Sequence, residues 1–184
     1  MDWLDGIFVV TSIAWLYELW RYRNRDDTKD GRSEHMSFYV VSVVMVIVFA
    51  SSLGYSILTD ARQSVSLRLI GLACYIAGVG LRYWGITHLR HQFTRHVVVR
   101  PTDEIVSTGP YRFLRHPLYT GLLFITFGFA LTFSFVWFAV LGTIAMGAAL
   151  LWRIHIEEKM LTAHFGDAYA VWSKSRKRLL PFIY

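Results

Sequence analysis

Residues 118–152 read LYTGLLFITFGFALTFSFVWFAVLGTIAMGAALLW, 35 positions without one charged side chain. At a rise of ~1.5 Å per residue, such a run is too long for a single crossing of a ~30 Å hydrocarbon core and just enough for two short ones. It predicts a helical hairpin turning near Thr132–Phe135. Three further apolar runs precede it, from Trp3 to Trp20, Met36 to Leu58 and Leu67 to His88. The expected fold class is therefore all-α: a polytopic integral membrane bundle of about five transmembrane helices, followed by a C-terminal amphipathic helix. One membrane-embedded domain spans residues 1–184, with N-terminal spans in 1–66 and the third span, loop, hairpin and tail in 67–184.

Composition agrees. Of the 184 residues, 54% are hydrophobic and only 17% are charged, and the charges fall into blocks between the apolar runs. Arg21, Arg23, Arg25, Lys29 and Arg32 follow the first run; Arg90, Arg95, Arg100, Arg112 and Arg115 follow the third; Arg153, Lys159, Lys174, Arg176, Lys177 and Arg178 follow the hairpin. The opposite side holds only Arg62 and Arg68. Positive-inside then places the N-terminus outside and the C-terminus in the cytoplasm, which requires an odd number of spans. The acidic start, Met-Asp-Trp-Leu-Asp, lacks the basic region of a cleaved signal peptide.

A net charge of +6 could suggest nucleic acid. Every basic cluster borders an apolar run, so topology is the simpler account and no nucleic-acid partner is expected. Membrane lipids are the expected surroundings, and no obligate protein partner is evident. Cys74 is the only cysteine, which excludes an intrachain disulfide and a thiolate metal cluster. His88, His91 and His96 lack an acidic ligand at suitable spacing and read as interfacial histidines, so no metal is expected.

Polar chemistry concentrates at residues 109–121, Gly-Pro-Tyr-Arg-Phe-Leu-Arg-His-Pro-Leu-Tyr-Thr-Gly. Pro117 disfavours helix at His116 but suits the first turn of the helix that follows. Arg115 and His116 are thereby held extended at the mouth of the fourth span. Tyr119 falls on the first helical turn, and Gly121 would let a ligand approach the backbone. A second cluster, Arg153-Ile-His-Ile-Glu157-Glu158, ends the fifth span on the same side, so a hairpin brings the two acids beside Arg115 and His116. Further on, Leu161, Phe165, Tyr169 and Trp172 mark one amphipathic face, interrupted by a helix stop at Gly166 and a fresh cap at Asp167. This tail is expected along the membrane surface or folded back over the spans.

The string Gly-Pro-Tyr111-Arg-x-x-Arg115-His116-Pro117-x-Tyr119-x-Gly121, followed by Arg153-x-x-x-Glu157-Glu158, resembles the isoprenylcysteine carboxyl methyltransferase family and the related membrane phospholipid N-methyltransferases. The resemblance covers roughly Gln92 to Tyr184. It implies an S-adenosylmethionine-dependent methyltransferase without a Rossmann domain, acting on a prenylated or other lipophilic small-molecule acceptor. It further implies cofactor binding by Tyr111, Arg115, His116, Pro117, Leu118, Tyr119, Gly121 and Glu157, with Arg153 and Glu158 at the catalytic centre. The Gly78-Val-Gly80 step could match a phospholipid methyltransferase feature, although small residues in a span usually serve packing. The loop His88-Leu-Arg90-His91-Gln-Phe-Thr departs from many relatives, which have Leu-Gly before the aromatic. The alternative enzyme class is an NADPH-dependent reductase similar to the sterol reductases, which share an Arg-His-Pro-x-Tyr-x-Gly-like element and an ending like Leu180–Tyr184. A non-enzymatic scaffold with lipid-binding basic loops explains Lys174–Arg178 but not residues 111–121.

Overall fold

The computed structural model describes residues 3–21, 32–59, 63–93 and 103–179. Arg23, Arg25, Lys29, Arg62, Arg95, His96, Arg100 and the Leu180–Tyr184 ending lie outside the described residues, as do the side chains of Arg32 and His91. Six α-helices follow one another: α1 (Trp3–Arg21), α2 (Arg32–Thr59), α3 (Val65–Leu89), α4 (Pro117–Phe133), α5 (Val136–Phe165) and α6 (Asp167–Lys174). Single 3-10 turns occupy Arg90–Gln92 and Gly109–Arg112.

The hairpin turns where the sequence places it. Ser134 caps α4 in extended backbone, and α5 begins two residues later. Five long helices thus occupy the five apolar regions. Among the described residues, α2, α3 and α5 are long and apolar enough to cross a membrane, while α4 is apolar but shorter. Pro117 and Ser134 clip its two ends to 17 residues. Helix α1 has 19 residues but carries Asp5 and Glu18 within them.

Those charges explain how α1 packs. Asp5 binds Arg68, Ser12 Oγ lies 3.1 Å from the Tyr75 hydroxyl, and Glu18 Oε2 accepts from Arg82 Nε at 2.9 Å. The matched order along both helices makes α1 and α3 parallel neighbours, joined by three side-chain rungs and by the Tyr83 hydroxyl, which donates to the Ala14 carbonyl. Arg68, expected among the loop charges, is therefore a buried residue of the first turns of α3.

The seam between α3 and α4 is built differently. A Cβ on Gly78 would stand 2.7 Å from the Gly121 carbonyl oxygen, and one on Gly128 would stand 2.5 Å from that of Gly71. With Gly85 against Leu118, small residues recur every seventh position and let the two backbones touch. Gly80 meets nothing within 4 Å, so only the first glycine of the Gly78-Val-Gly80 pair serves packing. Helix α2 lies against α4 and α5, where Val41 packs with Met146, Ala149 and Leu150, and Val48 with Ala130, Leu131 and Ala139.

Candidate active site

Gly109 starts the site. Its φ of +57° belongs to the left-handed region, and a Cβ there would lie 2.5 Å from His88 Nε2. Only glycine lets the chain turn against that imidazole and deliver the buried Tyr111. As Pro117 demands, His116 is non-helical, with φ −126° and ψ 61°. The amides before the proline pair with the end of the described chain. Arg115 N–H donates to the Lys177 carbonyl at 2.8 Å, Lys177 N–H to Phe113 O at 3.0 Å, and His116 N–H to Arg178 O at 3.3 Å. Thr120 Oγ1 also donates to Leu179 O.

The hairpin brings the two sequence clusters together. Glu158 receives Arg115 Nη1 at 3.1 Å and Arg178 Nη2 at 2.9 Å, with His116 Nε2 at 3.3 Å. Arg115 Nε meanwhile donates to the carbonyls of Ser173 and Arg176. Glu157 Oε2 stands 3.7 Å from His116 Nδ1, so the imidazole lies between two carboxylates. One turn earlier on α5, Arg153 donates from Nε to the Tyr119 hydroxyl at 2.8 Å and from Nη1 to Ser37 Oγ at 3.2 Å. The His116 and Tyr119 rings stack at 5.6 Å.

These groups border a cavity of about 380 Å³, a size suited to a small ligand. Tyr111, Arg115, His116, Pro117, Leu118, Tyr119, Arg153 and Glu157 all line it. Two expected site residues do not. Gly121 lies in the seam with α3, where a Cβ would meet Arg82 Cγ at 2.6 Å, so it serves helix approach rather than ligand approach. Glu158 sits behind the wall, its carboxylate taken up by Arg115, His116 and Arg178.

The tail folds back over the helices rather than lying apart from them. Gly166, at φ +54°, ends α5 and turns the chain, and Asp167 is the first residue of α6 rather than its cap. Leu161, Phe165, Tyr169 and Trp172 accordingly all face the cavity, although they come from two helices. Trp172 Nε1 also donates to Ser107 Oγ, tying α6 to the segment before Gly109.

Sequence reasoning missed the other half of the wall. Helix α1 supplies Trp15, Glu18 and Leu19; α2 supplies Phe38, Val41, Ser42 and Met45; and Arg82 comes from α3. Asp103 and Glu104 add two acids at the edge. An available signal was the isolated charges Glu18 and Arg82 within apolar helices, which require a partner or a function.

Three wall residues, Trp15, Glu157 and Tyr169, each carry a buried polar atom without a hydrogen-bond partner. Such atoms are rare in native structures and call for a ligand or water. Burial, reinforced by the Glu157 carboxylate, pushes the Tyr111 phenol well above its ordinary range. Burial and the carboxylates of Glu158 and Glu157 likewise raise that of Tyr169. Both remain neutral hydroxyls at physiological pH.

Fold and site together define a polytopic helical membrane protein with a polar cluster walled in at one end of its bundle. The chain belongs to the isoprenylcysteine carboxyl methyltransferase family, whose sequence profile matches residues 69–163. It is 28% identical over 163 residues to the YpbQ protein of Bacillus subtilis, covering 88% of this chain and 96% of that one. It is 29% identical over 130 residues to the protein-S-isoprenylcysteine O-methyltransferase of Xenopus laevis, covering 70% of this chain and 45% of that enzyme. Among solved structures it resembles the eukaryotic intramembrane Ras methyltransferase, with a TM-score of 0.61, 25% identity and coverage of 84% of this chain and 55% of that one. The chain thus spans about half the length of those two methyltransferases. The family match favours methyl transfer over the reductase reading.

Proposed function

We propose that this protein transfers the methyl group of S-adenosylmethionine to the carboxylate of a prenylcysteine-like or other lipophilic acceptor at the cytoplasmic membrane face, acting as one membrane-embedded domain. One observation carries the reading: a single cavity joins the polar end at Tyr111, Arg115, His116, Glu157 and Tyr169 to an apolar wall of Leu19, Phe38, Val41, Met45 and Leu122. A polar cofactor and a lipid-like acceptor need both surfaces in contact.

The residues present fit the cofactor. Glu157 Oε2 and the Tyr169 hydroxyl are buried without a hydrogen-bond partner, a carboxylate for its ammonium and a neutral hydroxyl for its polar atoms. When bound, the cofactor would supply an electrophilic methyl group on sulfur, whose transfer to a carboxylate would exchange a sulfur–methyl bond for an oxygen–methyl bond with no proton to remove. The chain therefore needs no general base. Its task is to hold two reactants in line, which can supply roughly 7–11 kcal/mol of the barrier. Arg153 orients the acceptor carboxylate through its planar guanidinium. Glu158 fixes Arg115 and His116 in place, and Gly121 lets α4 close on α3. The basic residues beside this end of the bundle support a cytoplasmic position for it, with the N-terminus outside.

The test is calorimetric binding of S-adenosylmethionine, S-adenosylhomocysteine and NADPH to detergent-purified protein. Saturable binding of the adenosyl compounds without NADPH is expected, and Glu157→Ala should weaken it by about ten-fold or more, as loss of a charged hydrogen bond does. NADPH binding alone would overturn the reading.

A further inference from the structure

We infer that Ser37 and Phe38 of α2 are positioning residues for the Arg153 guanidinium, so that a helix outside the family-matched segment governs how the acceptor's carboxylate is received. The inference rests on the methyltransferase reading above and adds residues that reading does not use.

The geometry is specific. Ser37 is fully buried and Arg153 is 4% exposed. Ser37 Oγ accepts from Arg153 Nη1 at 3.2 Å, across 116 residues of sequence. The next residue, Phe38, places its ring 5.7 Å from the guanidinium carbon, while the Tyr119 ring stands at 5.8 Å and its hydroxyl accepts from Nε. A hydroxyl from α2, a hydroxyl from α4 and two aromatic faces thus help to fix the guanidinium plane. An arginine has several soft torsions, and it directs a carboxylate only when neighbouring groups hold it in one rotamer. Phe38 also lines the cavity, next to the apolar surface expected to take the acceptor's chain. Helix α2 therefore connects the acceptor's chain to the group that receives its carboxylate. The family profile covers residues 69–163, so this α2 contribution lies outside the family-matched segment.

The test measures binding of N-acetyl-S-farnesylcysteine and of its methyl ester to the full-length protein in the presence of S-adenosylhomocysteine. Wild type should prefer the acid. Ser37→Ala should narrow the acid-over-ester preference by about ten-fold, as expected for a lost hydrogen bond to a charged group. Ester affinity and cofactor affinity should stay at wild-type values. Phe38→Leu should narrow the preference less. A merely structural serine would lower acid and ester binding together along with the melting temperature, and that result overturns the inference. Full acid preference in Ser37→Ala also overturns it while leaving the methyltransferase reading intact. Failure of wild type to bind the adenosyl compound removes the parent reading and this one with it.

Discussion

Along α3, the face toward α4 and the face toward α1 are built from opposite materials. Toward α4 the side chains vanish: Gly71 and Gly78 bring backbone against backbone, and Gly85 makes room for the Leu118 side chain. Toward α1 the side chains span the gap, through Asp5–Arg68, Ser12–Tyr75 and Glu18–Arg82. The first seam fixes distance, because nothing can be inserted into it. The second fixes register and helix direction, because each polar rung pairs one position of α1 with one position of α3. A cavity needs both kinds of seam. The glycine seam anchors the α3–α4 pair that presents residues 111–119, while the polar rungs hold α1 where Trp15, Glu18 and Leu19 complete the wall.

The comparison can be broken most strongly at Glu18. Glu18→Ala leaves Arg82 buried and uncompensated, and breaking a buried pair in this way costs about 3–5 kcal/mol. Thermal unfolding in detergent should register the loss, and adding Arg82→Met should recover most of it. A double variant no better than the single would show that charge pairing is not what joins α1 to α3.

Gly128→Ala attacks the other seam. Its methyl would meet the Gly71 carbonyl and the Tyr75 amide at 2.5 Å, neither of which can yield as a flexible side chain would. Overpacking of this kind costs about 1–3 kcal/mol, again read as a lower melting temperature. Ser12→Ala removes only the middle rung and should cost about 0.6 kcal/mol, the usual worth of a hydrogen bond between membrane helices. Gly80→Ala sharpens the contrast from below. With open space around it, the variant should melt within about 0.5 kcal/mol of wild type, and a large loss there would mean that the seam is wider than the geometry indicates.

What could be read from the sequence followed from local pattern. The 35 uncharged positions gave the hairpin and its turn, and the hairpin in turn predicted that Glu157 and Glu158 meet Arg115 and His116, which they do. Pro117 predicted a non-helical His116, and its backbone there is neither helical nor fully extended. The glycine seam is a different case: a spacing of seven is visible in Gly71, Gly78 and Gly85, but which helix they face is not, and so Gly121 read as a ligand contact. The partners of Glu18 and Ser37 lie 64 and 116 residues away, beyond the reach of any local pattern. Their roles depend on tertiary packing alone. The same holds for the contact of residues 113–116 with residues 177–178, a backbone pairing that no side chain announces.

That last pairing sets an order of events during synthesis. Arg115 leaves the ribosome 61 residues before Arg176, one of the residues whose carbonyl it must reach. The helices can enter the membrane and pack in sequence as they are made, but the polar end stays open until nearly all the described chain has emerged. A chain ending just after α5 would hold its five long helices, yet lack the clasp that completes the site.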